Sequence, residues 1–218
     1  MSIINFDAIR SASMQEDPFR YAPYSEAFHA PGELTKAFPE AGFEWHVQRR
    51  MLEALGKKGS SSWNQHAVAT RALLLLGRRE PHDPHELDPV WIELAADLAS
   101  VEYREALTEL TGHDVRSLRM QAHFWRFEPG SHFRPHVDKP HKIVTHLLYL
   151  TEEWTPDMGG CFRVLGSEDP DDVLDEVPPL PNNALVLHRT DNAWHSVSPI
   201  PEDSGRSRKL VQVWFWGE

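Results

Sequence analysis

The sequence predicts an α+β fold in which helices come first and back one face of an antiparallel β sandwich or barrel. Apolar residues recur at helical spacing before Gly112, and short apolar segments separated by Pro, Gly and Asp run from Val115 to Trp216. A length of 218 residues suits one hydrophobic core. We therefore expect a single domain, with residues 1–114 as a helical and loop support region and residues 115–218 as the β core.

Composition narrows the class of protein. The net charge of −11, from 22 basic and 33 acidic residues, argues against nucleic acid or an anionic membrane as the main partner. The single cysteine, Cys161, excludes an internal disulfide and a Cys-rich zinc site. The longest apolar run, Ala72 to Leu76, is far below the ~20 residues that span a bilayer, and the first 20 residues lack a signal-peptide core. These features predict a cytoplasmic protein and leave the oligomeric state open.

Two helices are predicted before the β segments. Asp88-Pro89 begins the first, since an N-cap acceptor precedes the residue best tolerated at the first helical position. Ser100 caps the second, which Gly112 ends. Their apolar positions are Trp91, Leu94, Ala95 and Leu98 in the first and Leu107 and Leu110 in the second. A further helix is predicted around Val47, Met51 and Leu55, and loops are predicted at 57–65 and 78–90.

The second half reads as strands. The predicted strands are 117–127, 142–150, 161–165, 184–188, 194–197 and 209–216. Between them, residues 166–183 contain six acids and four prolines, which predicts an excursion that faces solvent. Such short strands indicate an antiparallel sandwich or barrel.

The sharpest local feature is His136-Val137-Asp138. In an extended segment, residues i and i+2 point to the same side, so this imidazole and carboxylate can share one metal ion. His195, in a later strand-like segment, is a candidate third ligand. Two histidines and one carboxylate on one face leave open positions opposite, which suits iron(II) chemistry with oxygen. Alone, the short motif is weak, since a surface histidine near an aspartate is common.

The order of the surrounding motifs strengthens this interpretation. The chain reads Phe127-Glu128-Pro129-Gly130, His136-Val137-Asp138, Thr145 to Leu150, Trp154, Gly159-Gly160, Pro181-Asn182-Asn183, His195, Arg208 and Val213-Trp214-Phe215. Over roughly residues 85–218 this resembles the iron(II)/2-oxoglutarate-dependent oxygenases, in particular their prolyl-hydroxylase-like branch. The resemblance implies a double-stranded β-helix, a jelly-roll or cupin-like barrel with the N-terminal helices packed on one sheet. It also implies Fe(II), the cosubstrate 2-oxoglutarate and O2.

The same resemblance assigns roles to residues. His136, Asp138 and His195 would be the iron ligands. The far carboxylate of 2-oxoglutarate would pair with Arg208, which lies six residues before Trp214, while Arg206 and Lys209 stay as alternatives for this anchor. A guanidinium suits the role because it binds a carboxylate through two hydrogen bonds.

Further side chains are expected around the centre. Tyr149 would donate its hydroxyl to the same carboxylate, with sheet packing as the alternative, and Thr145 lies on the same strand face. Trp214 matches a position beside the iron. Gln121, His123 and Trp125 alternate along one strand, so they are candidates for the substrate pocket, although His123 is equally a packed wall histidine.

The function implied is hydroxylation of an aliphatic C–H, with succinate and CO2 as coproducts. The absence of a recognisable peptide-binding module favours a small-molecule substrate, such as an amino acid or a natural-product intermediate. The alternatives are a protein hydroxylase that modifies prolyl or other residues, and a non-catalytic sensor that binds metal or 2-oxoglutarate.

Overall fold

The computed structural model describes residues 2–45 and 68–218. Within these residues the α-helices are α1 (Phe6–Ser11), α2 (Pro31–Lys36), α3 (Pro89–Ala99) and α4 (Val101–Thr111). The strands are β1 (Tyr21–Tyr24), β2 (Glu44–Trp45), β3 (Val68–Leu74), β4 (Arg119–Phe127), β5 (Phe133–His136), β6 (Lys142–Tyr149), β7 (Phe162–Leu165), β8 (Val173–Val177), β9 (Ala184–His188), β10 (His195–Val197) and β11 (Arg208–Trp216). None of the helices in this part of the chain is long and apolar enough to cross a membrane.

The strands form two antiparallel sheets. The larger has the order β1-β9-β6-β11-β4-β3-β2, and the smaller has the order β5-β10-β7-β8. From β4 to β11 the chain passes back and forth between the sheets. The large sheet receives β4, β6, β9 and β11, and the small sheet receives β5, β7, β8 and β10. This is the double-stranded β-helix that the family resemblance implies, and it brings the end of β5 and the start of β10 together on the small sheet.

The predicted helices begin and end where their capping residues lie. The Asp88 carboxylate accepts a hydrogen bond from the Val90 amide at 3.1 Å, and the Ser100 hydroxyl accepts one from the Tyr103 amide at 3.1 Å. Gly112 ends α4 with a φ of 64°, a conformation that glycine adopts without strain. Both start signals and the stop signal are therefore confirmed.

The large sheet separates two apolar cores. Along β11, Val211 and Phe215 point to the core shared with the helices, whereas Leu210 and Trp214 point to the core between the sheets. This follows from the two-residue repeat of side chains in a strand. The second core contains the cavity described below.

The sequence prediction is wrong for two strand regions. The first half supplies β1, β2 and β3 to the large sheet, so it is not only helix and loop. Strand β3 is buried at both ends and carries apolar residues on both faces, so it lacks the alternation of apolar and polar residues that reveals a strand. The excursion at 166–183 contains β8, an edge strand with four of its five residues exposed. The helix predicted around Met51 and the loop at 57–65 lie outside the described residues.

Candidate metal centre

The centre is built where two neighbouring strands meet at the same level. Strand β5 ends at His136, strand β10 begins at His195, and the two residues are paired in register across the antiparallel sheet. Asp138 follows two residues after the end of β5. One ligand atom from each of the three side chains lies within 4.8 Å of the other two, so the three can hold one metal ion.

Backbone carbonyls orient both imidazoles. The Nδ1 of His136 lies 2.8 Å from the Arg134 carbonyl oxygen, and the Nδ1 of His195 lies 2.8 Å from the Ala193 carbonyl oxygen. Only a protonated Nδ1 can donate to a carbonyl, which leaves Nε2 of each neutral ring with its lone pair. Such hydrogen bonds fix the tautomer and orientation of histidines that bind metals.

Burial keeps both histidines in the neutral form that ligates metal. It lowers the pKa of His136 below its usual value, with the Arg134 carbonyl and the Asp138 charge acting in the opposite direction. It lowers the pKa of His195 to about 4, helped by the neighbouring His136. At neutral pH neither Nε2 is protonated, so protons do not compete with a metal ion for these nitrogens.

Asp138 is ionised and held by two partners. Its Oδ1 lies 2.8 Å from the Lys142 ammonium, and its Oδ2 accepts a hydrogen bond from the Thr145 hydroxyl at 3.0 Å. Burial alone would raise the pKa of Asp138, but the Lys142 ammonium and the two histidines outweigh it and lower the pKa to about 2. A carboxylate fixed in this way presents a ready anionic ligand.

A cavity of about 480 Å³ opens between the sheets at this centre. One face of β11 forms the floor of the cavity, and the neighbouring strands β4 and β6 lie on either side of β11. Its lining residues on β11 are Arg208, Leu210, Gln212, Trp214 and Trp216. The cavity therefore runs along the strand, with Arg208 at one end and Trp216 at the other.

Arg208 is a buried cation with no acidic partner among the described residues. It is 2% exposed, and its guanidinium carbon lies 4.8 Å from the centre of the Phe127 ring and 5.2 Å from that of Tyr149. Burial lowers its pKa, and no carboxylate in the described ranges forms an ion pair with it. Arg206, the alternative anchor, is exposed and pairs with Glu153 instead.

Two features shape the surroundings of Arg208. The Tyr149 hydroxyl is buried beside the Arg208 guanidinium. Burial raises the pKa of Tyr149, and the Arg208 charge opposes this shift. On the other side lies Gly160, with a φ of 64°, where an added Cβ would come within 2.9 Å of the Arg208 side chain. Glycine is required there by conformation and by space.

Most predicted pocket residues lie in the cavity wall, and some important ones were missed. Gln121, Trp125, Thr145 and Trp214 line the cavity. His123 does not; its ring packs 5.4 Å from that of Trp214. Tyr149 lies behind Arg208 rather than in the wall. Sequence reasoning missed Lys142, Gln212 and Trp216, although counting every second residue from Arg208 would have found the last two.

These side chains fit an iron centre with a bidentate anionic cosubstrate. Two neutral imidazoles and one carboxylate converge from one side, which leaves the cavity side of the ion open. In the same cavity the Arg208 guanidinium lacks a counter-charge among the described residues and can bind a carboxylate.

Comparison with known proteins agrees with this geometry. Residues 121–216 match the model of the 2OG-Fe(II) oxygenase superfamily, where 2OG is 2-oxoglutarate. A prolyl-4-hydroxylase from Pseudomonas putida is 21% identical, with a TM-score of 0.55 over 98% of this chain and 92% of its own. A prolyl 4-hydroxylase from Phytophthora capsici is 20% identical, with a TM-score of 0.59 over 99% of this chain and 63% of its own.

An oxidoreductase of the 2OG-Fe(II) oxygenase family from Burkholderia pseudomallei is 13% identical, with a TM-score of 0.50 over 85% of this chain and 89% of its own. No curated protein matches the sequence at a significant level. The structural likenesses establish the fold, and the superfamily match covers all three candidate ligands and Arg208. Residues 121–216 are therefore similar to the 2OG-Fe(II) oxygenase superfamily, and the chain shares the fold of these solved structures.

Proposed function

We propose that this protein is an iron(II)- and 2-oxoglutarate-dependent dioxygenase that hydroxylates an aliphatic C–H of a small molecule, such as an amino acid or a natural-product intermediate. The observation that carries the proposal is the arrangement of His136, Asp138, His195 and Arg208 around one cavity. In this assignment the first three hold the iron, and Arg208 binds the far carboxylate of 2-oxoglutarate. When bound there, iron and 2-oxoglutarate would together with O2 supply the oxidant for the C–H bond, with succinate and CO2 as coproducts.

The protein's own residues orient and protect this chemistry. The Arg134 and Ala193 carbonyls fix the imidazole tautomers, and Thr145 fixes the carboxylate of Asp138. Aromatic walls from Trp125, Phe127, Phe133, Phe162 and Trp214 keep water from the centre. The reaction needs no side chain as a general base.

The size of the cavity supports a small substrate. About 480 Å³ must hold 2-oxoglutarate and the reacting part of the substrate together, and this lies in the range of small-molecule sites. Hydroxylation of prolyl or other residues in a protein is the second candidate. It is favoured by the likeness to the prolyl-4-hydroxylases from Pseudomonas putida and Phytophthora capsici. The third candidate is not an enzyme but a sensor that binds metal or 2-oxoglutarate.

One experiment separates these candidates. Purified protein with Fe(II), 2-oxoglutarate and air is incubated with pooled metabolites and, separately, with pooled proline-containing peptides. Mass spectrometry then follows succinate and the gain of one oxygen. We expect succinate formation that the metabolite pool stimulates. Stimulation by the peptide pool alone would favour the protein hydroxylase, and no succinate in any mixture would leave only the sensor.

His136→Ala and His195→Ala provide the matched controls. Each leaves two protein ligands, so we expect loss of Fe(II) binding at micromolar metal and loss of succinate formation, with the circular dichroism of the β fold retained. Wild-type succinate formation by both variants would show that the metal binds elsewhere.

A further inference from the structure

The end of the cavity opposite Arg208 is basic and aromatic. Strand β11 finishes there with Trp214 and Trp216, and Trp216 is paired with Lys142 on the neighbouring strand. Lys139, from the turn that follows Asp138, lines the same end. Because Asp138 contacts Lys142, the candidate metal ligands lie at this end too. A substrate held beside the metal therefore meets these two lysines and two indoles.

The charges at this end do not balance once the centre is loaded. Of the described residues that line the cavity, Asp138 is the only acid, whereas Lys139, Lys142 and Arg208 are basic. Iron(II) is balanced by Asp138 and one carboxylate of 2-oxoglutarate, and Arg208 is balanced by the other carboxylate. Two lysine charges remain. This local excess contrasts with the net charge of −11 on the whole chain.

Lys142 is too enclosed to be left without a counter-ion. Its side chain is 16% exposed, and its ammonium lies 4.7 Å from the Trp214 ring centre and 6.0 Å from that of Trp216. Its one anionic partner in the described structure is Asp138, at 2.8 Å. Ligation of a dication draws on the same carboxylate charge, so the lysine then lacks full compensation in a low-dielectric site.

The two indoles make an independent demand for an acceptor. The Nε1 of Trp214 and the Nε1 of Trp216 are both buried and have no hydrogen-bond acceptor in the described ranges. Buried donors are nearly always satisfied, by protein, water or ligand. A carboxylate has about four acceptor sites, so one such group can serve an ammonium and an indole N–H together.

We propose that the substrate carries a carboxylate that binds at Lys142, with Lys139 adding charge and the indoles of Trp214 and Trp216 adding hydrogen bonds and an apolar wall. This inference rests on the proposed function, because it places the substrate beside an iron centre. It narrows the proposed substrates from small molecules in general to carboxylic acids. Lys142 is then the residue that determines which substrates are accepted.

Matched pairs of probes test the proposal on the wild-type protein. The N-acetyl L-amino acids and their primary amides differ in one group, a carboxylate against a neutral amide. Binding to protein loaded with Mn(II) and 2-oxoglutarate, which does not turn over, is measured by saturation-transfer NMR. We expect one or more carboxylates to bind and each matched amide to bind roughly tenfold more weakly or worse. Equal binding of acids and amides, or binding by no acid in the panel, overturns the proposal.

Variants show which lysine causes the preference for the acid over the amide. In Lys142→Met the acid should lose its roughly tenfold advantage over the amide, and Lys142→Arg should restore most of it. Lys139→Met, which does not touch Asp138, should reduce the advantage by a smaller factor. Lys36→Met removes the same charge from an exposed helix position and serves as the control. If Lys142→Met and Lys139→Met both keep the wild-type ratio, the carboxylate is not bound at these lysines.

The two levels of proposal can fail separately. Mn(II) affinity, measured by electron paramagnetic resonance on each variant, separates an effect on the metal from an effect on the substrate. Succinate formation by the wild type with Fe(II), 2-oxoglutarate, air and the pooled metabolites tests the oxygenase itself. Succinate formation without a preference for acids would refute only the carboxylate site, whereas no succinate would refute the proposed function.

Discussion

Arg208 and Arg206 lie two positions apart but differ in environment. Arg208 is buried against Phe127 and Tyr149, whereas Arg206 is exposed and pairs with Glu153. If Arg208 binds the far carboxylate of 2-oxoglutarate, Arg208→Ala should weaken cosubstrate binding by roughly 2–5 kcal/mol, seen as a strongly raised KM for 2-oxoglutarate. Arg206→Ala should leave that KM near the wild-type value. The reverse ranking would move the anchor to Arg206.

As an iron ligand, Asp138 would also decide which other ligands the metal accepts. Its carboxylate would occupy one coordination position, and this should exclude chloride from the metal. With substrate and excess chloride, we expect the wild type to give an oxygenated or desaturated product. Asp138→Gly should lose oxygenation, and chloride binding to its metal is read from the absorption spectrum. A chlorinated product from the wild type would contradict both the ligand assignment and the proposed hydroxylation.

At the scale of elements, β6 serves two sites at once. Thr145 faces the cavity and holds Asp138, while its neighbour His146 faces the helices. There the Nε2 of His146 lies 2.7 Å from the Tyr24 hydroxyl and its Nδ1 lies 2.7 Å from the Tyr103 hydroxyl. A neutral imidazole has one donor and one acceptor, so one tyrosine donates and the other accepts. The two side chains face opposite ways because successive residues of a strand point to opposite sides of the sheet.

This histidine makes stability depend on pH. Burial lowers the pKa of His146 to about 3, whereas an unfolded histidine titrates near 6.5. The unfolded chain therefore binds a proton first, and stability is lost as pH falls from about 6.5 towards 3. Between pH 7 and pH 5 we expect His146 to account for about 2 kcal/mol of lost unfolding free energy. Urea titrations at both values should show a loss that is smaller by this amount in His146→Gln. An equal loss in both proteins would contradict a neutral buried His146.

Prediction from sequence succeeded for the helix ends, where a residue type has one common structural role. Asp88, Ser100 and Gly112 set helix ends by local hydrogen bonding and backbone conformation, which neighbours along the chain largely decide. It failed for β3 and β8, because a strand buried on both faces and an exposed edge strand lack the alternation that reveals a strand. The role of Lys142 could not be predicted either, since its contacts with Asp138, Trp214 and Trp216 depend on how the sheet folds.

At the scale of the whole molecule, metal binding should stabilise the fold. The three candidate ligands come from the end of β5, the turn after it and the start of β10, and Thr145 links Asp138 to the large sheet. An ion bound at one hundred times its dissociation constant adds about 2.7 kcal/mol, which corresponds to roughly 5–10 °C in Tm for a chain of this size. Calorimetry with Mn(II) should show this rise in the wild type. The same rise in His136→Ala would place the stabilising ion at another site.

The glycine beside Arg208 has a consequence for how this protein can evolve. Every single-base change in a glycine codon that alters the amino acid and does not stop translation introduces a Cβ. At Gly160 that atom would meet the Arg208 side chain at 2.9 Å, and at Gly159 it would meet the Pro199 carbonyl oxygen at 2.1 Å. At Gly32 no atom lies within 4 Å, and the backbone is not left-handed. Random mutagenesis selected for 2-oxoglutarate turnover should therefore accumulate changes at position 32 and none at 159 or 160, so the glycine pair beside Arg208 is closed to gradual change by single-base substitution.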